Sequence, residues 1–270
     1  MSLFEKKDIK YEMKLLSSLE KVFPDETPVY RMECQLLSGL WGETVSFQVA
    51  YMGDYFMRER LDVRVVSELA EHVHVRTVEM VPVGRATNGI VDDNYLKTTS
   101  GLYPDLLKDL KDGKVIVYSR QWRSLWVDVD ITNEILAGEY EIELQLIKEG
   151  EVVCSAKQKV TVIGTELPKL DIMHTEWMHA DCLADYYHVE VFSEEHWKLL
   201  GNYFQEYVKR DCNMMLTPLF TSPLDTAIGL ERTTCQLIDV EVKDGEYVFG
   251  FEKLKRWIDL CKKCGIEYFE

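Results

Sequence analysis

The feature that most constrains this chain is a change of hydrophobic period at Gly164-Thr-Glu-Leu-Pro168. Before that point apolar and polar residues alternate. After it, short apolar runs take turns with apolar residues at helical spacing. A period of two buries one face of a strand and wets the other, as in antiparallel sheets. In the stretch 140–146 the apolar positions are Tyr140, Ile142, Leu144 and Leu146, with polar residues between them. Leu125, Val127, Val129 and Ile131 repeat the pattern against Asp128 and Asp130. Further strands are expected over 29–37, 44–51, 61–66, 73–83 and 152–162, with turns at Lys148-Glu149-Gly150 and Ala137-Gly138. About seven or eight short strands of this kind imply a β-sandwich. Tyr11, Met13 and Leu15 alternate like a strand, although an N-terminal helix stays open there. Residues 92–111, which include Gly101-Leu-Tyr-Pro-Asp105, are expected to form a long irregular loop.

Past Pro168 the grammar is that of an α/β protein. Leu170-Asp-Ile-Met-His-Thr-Glu-Trp-Met-His-Ala-Asp-Cys-Leu-Ala-Asp185 reads as a strand running into a loop dense in polar chemistry. Ser193 can cap a helix whose first turn carries Glu194 and Glu195, with Trp197, Leu200, Phe204 and Tyr207 on one face. Met214-Met-Leu-Thr-Pro-Leu-Phe220 is an uninterrupted apolar run, expected as a strand covered on both sides. An excursion over 221–250 holds a hairpin turned at Asp244-Gly245. A second helix starts near Phe251, with Leu254, Trp257, Ile258 and Cys261 inward, and Gly265 just past its end. Ile266-Glu-Tyr-Phe-Glu270 opens a third strand.

Strands joined by helical crossovers give an open doubly wound sheet or a closed barrel. No glycine-rich phosphate loop follows any strand, which counts against the nucleotide-binding sheet. The elaborated segments all follow strands and precede helices, the side on which barrels build their sites. The expectation is therefore a β-sandwich over 1–165 and, over 166–270, the first three β/α units of a TIM-type (β/α)8 barrel. Three staves leave roughly ten inward side chains without partners, on the order of 20 kcal/mol at about 2 kcal/mol each. Whole domains are stable by only about 5–15 kcal/mol, so further residues are expected to complete the barrel.

Composition narrows the partners. A net charge of −16 repels phosphate backbones and argues against nucleic acid. Met1-Ser-Leu-Phe-Glu-Lys-Lys lacks the apolar core of a signal peptide, and no apolar run reaches the roughly 18 residues of a membrane span. The 7 scattered cysteines suit reduced thiols better than a disulfide framework. The reading is a cytoplasmic chain with no membrane partner, no cofactor and no metal. His174, His179, Cys182 and His188 fit no usual zinc spacing. Cys261-Lys-Lys-Cys264 falls at a helix end with Cys261 on its buried face.

His174-Thr-Glu-Trp-Met-His-Ala-Asp-Cys-Leu-Ala-Asp185, Asn213-Met-Met-Leu-Thr-Pro-Leu-Phe220 and Pro223-Leu-Asp-Thr-Ala227 resemble the start of the catalytic barrel of glycoside hydrolase family 123. Gly101-Leu-Tyr-Pro-Asp105, Gln121-Trp-Arg-Ser-Leu-Trp-Val-Asp-Val129 and Ala137-Gly-Glu-Tyr140 are similar to that family's N-terminal β-sandwich. The resemblance implies an exo-acting β-N-acetylhexosaminidase, favouring N-acetylgalactosamine, that works by substrate-assisted retaining catalysis. In that mechanism the 2-acetamido oxygen attacks the anomeric carbon, one carboxylate orients the acetamide, and a neighbouring acid protonates the leaving oxygen. The family places the two carboxyl groups as an adjacent Asp-Glu pair on a later barrel strand. The sole adjacent Asp-Glu here is Asp25-Glu26, in a turn of the first domain, so no catalytic residue is expected within these residues.

The candidate substrate-binding residues are Trp177, His179, Asp181, Asp225, Arg232 and Glu270. His179 and Asp181 sit where the first strand should end, and either bind sugar hydroxyls or brace the loop. Trp177 either stacks on a sugar face or fills the barrel core. Asp225 and Arg232 either reach substrate or are solvated loop charges. Glu270 closes the third strand as a possible lining carboxylate. The rival to a hydrolase is a carbohydrate-binding or structural protein with a vestigial barrel.

Overall fold

The computed structural model describes residues 10–29, 36–54, 58–87, 89, 91, 94–169, 171–221 and 226–270. The chain divides into two compact units, Met1–Pro168 and Lys169–Glu270.

The first unit is a sandwich of two five-stranded sheets. Its strands are β1 (Tyr11–Ser17), β2 (Leu37–Trp41), β3 (Thr44–Gly53), β4 (Glu59–Val66), β5 (Val73–Val83), β6 (Gly101–Asp109), β7 (Lys114–Val117), β8 (Arg123–Asp130), β9 (Gly138–Lys148) and β10 (Glu151–Glu166). One sheet has the order β1-β3-β8-β5-β6 and the other β2-β10-β9-β4-β7. All the pairings are antiparallel except β2 on β10. The alternating positions Leu125, Val127 and Val129 of β8 and Ile142, Leu144 and Leu146 of β9 are fully buried between the sheets, as their period requires. At the β9–β10 hairpin Glu149 and Gly150 both have positive φ, the backbone that matches a two-residue turn to strand twist.

Two expectations need correction here, and a third falls largely outside the described residues. Residues 101–109 are a strand paired with β5, not part of a loop: Thr77 faces Lys108 and Val81 faces Tyr103. β6 is an edge strand, a position at which a sheet tolerates a proline such as Pro104. The strand expected over 29–37 lies largely outside the described residues, and regular pairing there begins at Leu37. The outer face of β3 is not wet either. Leu16, Val22, Ala50 and Trp122 form a second small core on that side. The Gln48 amide donates to the carbonyls of Ser17, Ser18 and Glu20 at 3.2, 3.2 and 2.7 Å, and its oxygen accepts from the Ser124 hydroxyl at 2.9 Å. A buried side-chain amide thus replaces water for the turn that leaves β1.

The second unit is a β/α arrangement with three staves side by side in chain order. An extended segment, 171–178, is followed by α1 (Ala180–Tyr187), α2 (Glu194–Val208), β11 (Met214–Met215), a hairpin of β12 (Asp239–Lys243) and β13 (Glu246–Gly250), α3 (Glu252–Cys264) and β14 (Tyr268–Phe269). β11 and β14 pair in parallel. The extended segment lies beside β11, where Asn213 and Met214 donate their N–H groups to the His174 carbonyl at 3.0 and 3.1 Å. Of the three staves only β11 and β14 form a ladder among the described residues, so the first expected strand is an extended stave without one. The run 214–220 is regular only over its first two residues. Trp197, Leu200, Phe204, Met215, Trp257, Cys261 and Ile266 make the core of this unit.

The two crossover helices follow their sequence signals. The Ser193 hydroxyl accepts from the His196 N–H at 3.3 Å, and Gly265 ends α3 at φ +105°. The expected loop after the first stave is instead the helix α1, because Ala180, Leu183 and Ala184 recur at helical spacing and are buried.

Gln48→Ala is expected to destabilise the sandwich by about 2–3 kcal/mol, since it strands three carbonyls and a hydroxyl. Urea unfolding checks this against Leu136→Ala, an exposed position expected to stay within about 0.5 kcal/mol.

Candidate active-site rim

The first and second staves are held together by side chains. The Asn213 side chain accepts from the His174 N–H at 2.8 Å and donates to the Ile172 carbonyl at 2.8 Å. The Tyr207 hydroxyl accepts from the Glu176 N–H at 2.5 Å, and its own proton is shared between the carbonyls of Glu176 (2.6 Å) and Met214 (3.0 Å). Tyr207 reads in the sequence as one more apolar position of α2. Its hydroxyl, which ties the first stave to the second, gives no periodic signal.

Beyond these ties the staves open into a cavity of about 100 Å³. Met178, His179, Asp181, Thr217, Thr221 and Arg232 are among the residues that line it. His179 is the residue before α1, in extended conformation. Asp181 stands in the first turn of α1, where the helix dipole favours a carboxylate. It is 6% exposed and accepts a forked pair of bonds from Arg232, Nε to Oδ2 at 2.6 Å and Nη2 to Oδ1 at 3.0 Å. One helical turn on, Asp185 accepts from the Thr233 hydroxyl at 2.8 Å. Arg232 and Thr233 thereby pin the excursion onto α1. The excursion is closed at its base, where Cys235 N–H donates to Thr221 Oγ1 at 3.0 Å and Leu237 N–H to the Pro218 carbonyl at 3.0 Å.

At the third stave, the Trp177 indole N–H donates to Glu270 Oε2 at 3.2 Å, and Glu270 joins the ladder through its backbone, donating to the Met215 carbonyl at 3.0 Å. Trp177 is 58% exposed among these residues. Arg232 is not a solvated loop charge, because its guanidinium is occupied by Asp181. Asp225 lies outside the described residues. The structure therefore brings His179, Asp181 and Arg232 to one cavity, and joins Trp177 to Glu270.

The other histidines and cysteines have separate duties. His196 is fully buried. Its Nδ1 accepts from the Phe192 N–H at 2.9 Å, which leaves Nε2 to donate to the Ala180 carbonyl at 2.9 Å. Burial holds its pKa below the usual 6.5, against the raising influence of the Ala180 carbonyl and Asp181. His188 caps α1 in the left-handed conformation. Burial pushes the Cys235 and Cys261 thiols up to about 12, which removes both as nucleophiles at neutral pH. Among the described residues no group of three or more His, Cys, Asp and Glu could hold a metal, all six cysteines are free thiols, and no helix is long and apolar enough to cross a membrane.

Two outcomes follow from these partners. Arg232→Met is expected to destabilise the unit by about 3–5 kcal/mol by leaving the Asp181 carboxylate buried and unpaired. Pairing it with Asp181→Leu in a double mutant should restore much of that loss in urea unfolding. For His196, the unfolded chain takes up a proton below pH 6.5 while the folded chain resists it, so stability falls as the pH drops through 6.5. His196→Gln keeps an acceptor and a donor but does not titrate, and should flatten that part of a pH–stability curve relative to wild type.

Comparison with known proteins places this geometry. Residues 177–270 match the family model described as the glycoside hydrolase 123 catalytic domain. No curated protein sequence matches the chain. Among solved structures, a family 123 glycoside hydrolase from Clostridium perfringens, described for glycolipid glycan hydrolysis, superposes with a TM-score of 0.69 at 14% identity. The match covers 96% of this chain and 46% of that one, so the chain spans about half the length of that structure. The N-terminal domain of PorA (10% identity, 57% of this chain and 99% of that one, TM-score 0.28) is far weaker. So is a β-glucosidase from Listeria innocua (11% identity, 61% and 18%, TM-score 0.27). Neither score implies a common fold. In the sequence of residues 177–270 and in fold over nearly its whole length, the chain is similar to glycoside hydrolase family 123.

Proposed function

We propose that this chain is the sandwich (1–165) and opening β/α units (166–270) of a (β/α)8-barrel glycoside hydrolase. The proposed activity is that of an exo-acting β-N-acetylhexosaminidase, with terminal N-acetylgalactosamine as the favoured sugar and retaining, substrate-assisted chemistry. The observation that carries the reading is the gathering of His179, Asp181 and Arg232 around one cavity at the C-terminal ends of adjacent staves, with Trp177 and Glu270 on the same rim. Barrel enzymes work at that face because the segments after each strand converge there.

In this mechanism the acetamide oxygen of the substrate is the nucleophile, so the protein must supply an orienting carboxylate and an acid. The proposal assigns both to residues outside these 270. Asp25-Glu26 is engaged by Lys97, whose ammonium lies 3.4 Å from Asp25 and 2.8 Å from Glu26. The residues present here would bind and orient. The exposed face of Trp177 suits the apolar face of a pyranose, and its ring is steadied by the bond to Glu270. His179 lines the cavity beside the Asp181–Arg232 pair and would meet sugar hydroxyls. The free thiols suit the proposed cytoplasmic setting.

A second reading, sugar binding without hydrolysis, is favoured by the lack of an adjacent Asp-Glu in the β/α unit. One assay separates them. The full-length protein should release p-nitrophenol from p-nitrophenyl N-acetyl-β-galactosaminide, and Trp177→Ala should lower kcat/KM by about tenfold or more, equivalent to ~1.4 kcal/mol. A melting shift with N-acetylgalactosamine but no p-nitrophenol would leave the binding reading. Neither signal would remove both.

A further inference from the structure

The β12–β13 hairpin presents an apolar face to solvent. Its register sets Val240 opposite Phe249 and Val242 opposite Tyr247, so these four side chains share one face. They are 40%, 49%, 65% and 71% exposed in that order. The charged residues Asp239, Glu241, Lys243 and Glu246 belong to the other face, where Asp239 is held by Lys253 at 2.6 Å. An isolated two-stranded hairpin is marginal in water and normally needs a covering layer.

We propose that this face is covered by the same face of a second copy of the chain. The pattern is self-complementary. Each cross-strand pair joins one valine to one aromatic, so a twofold axis through the patch can set each aromatic against a valine of the mate. Isologous interfaces require that property of a single patch, and a foreign partner does not. The Tyr247 and Phe249 rings already lie at 25° to each other, 6.5 Å apart, which gives the mate a shallow platform. The absence of charge on this face matters in a chain of net charge −16, because here two copies can touch without facing like charges. With uncovered aromatics at about 150–250 Å² each, these exposures amount to roughly 400 Å² per chain. A standard interface takes about 800 Å² from each partner. The dimer is therefore weak and concentration-dependent. The charge on the rest of each copy opposes it, so added salt strengthens it.

Sedimentation equilibrium of the full chain across a dilution series tests this. The weight-average mass should rise from that of one chain toward double that value, at lower concentration in high salt than in low. Val242→Glu and, separately, Tyr247→Glu should abolish the rise, while Lys243→Ala on the opposite face should keep it. Since these positions are exposed, circular dichroism should show the variants folded, and Val242→Thr gives a milder check if either is not. A monomer at every concentration and salt would overturn the proposal. So would a dimer that survives both glutamates, or an apolar face that instead carries the monomer onto zwitterionic lipid vesicles.

Discussion

The forked bond between Arg232 and Asp181 decides the shape of the β/α unit's rim. A carboxylate buried at a helix N-terminus gains from the dipole but still needs a counter-charge, and here the counter-charge comes from a distant point in the sequence. By meeting Asp181, the guanidinium brings the excursion back over α1 and sets one wall of the cavity. Thr233 on Asp185 repeats the tie one turn further on. The same contact puts a cation and an anion at the mouth of the site with their charges already answered.

Much of this architecture can be read from the residues. Strict alternation in β8 and β9 gave their inward faces, and Ser193, Gly265 and Asp244-Gly245 marked a helix start, a helix end and a turn. What escaped the sequence were contacts made by single polar side chains. Gln48 is one polar position on an alternating strand, and its pattern says solvent. The structure uses it to bond a turn that covers that face. His196 carries no signal of its own in the sequence, and it is a buried brace between α1 and the start of α2.

At the rim, the sequence named residues and the fold supplied their pairing. Asp181 and Arg232 are 51 positions apart and Trp177 and Glu270 are 93 apart. No local pattern links either pair. The first stave was also over-read. Its alternation resembled a strand, yet the hydrogen bonds that seat it come mainly from side chains of α2 and of the residue before β11.

That last arrangement has a consequence for motion. A stave bonded by a full ladder opens only when several neighbours give way together, whereas residues 174–176 are held by the Asn213 and Tyr207 side chains and by two backbone bonds to the His174 carbonyl. Their amides should exchange with solvent deuterium by small local openings rather than by unfolding of the unit. Trp177 is the next residue along. The Trp177 side chain is thus carried by a segment without a ladder of its own and is tied at its tip to Glu270.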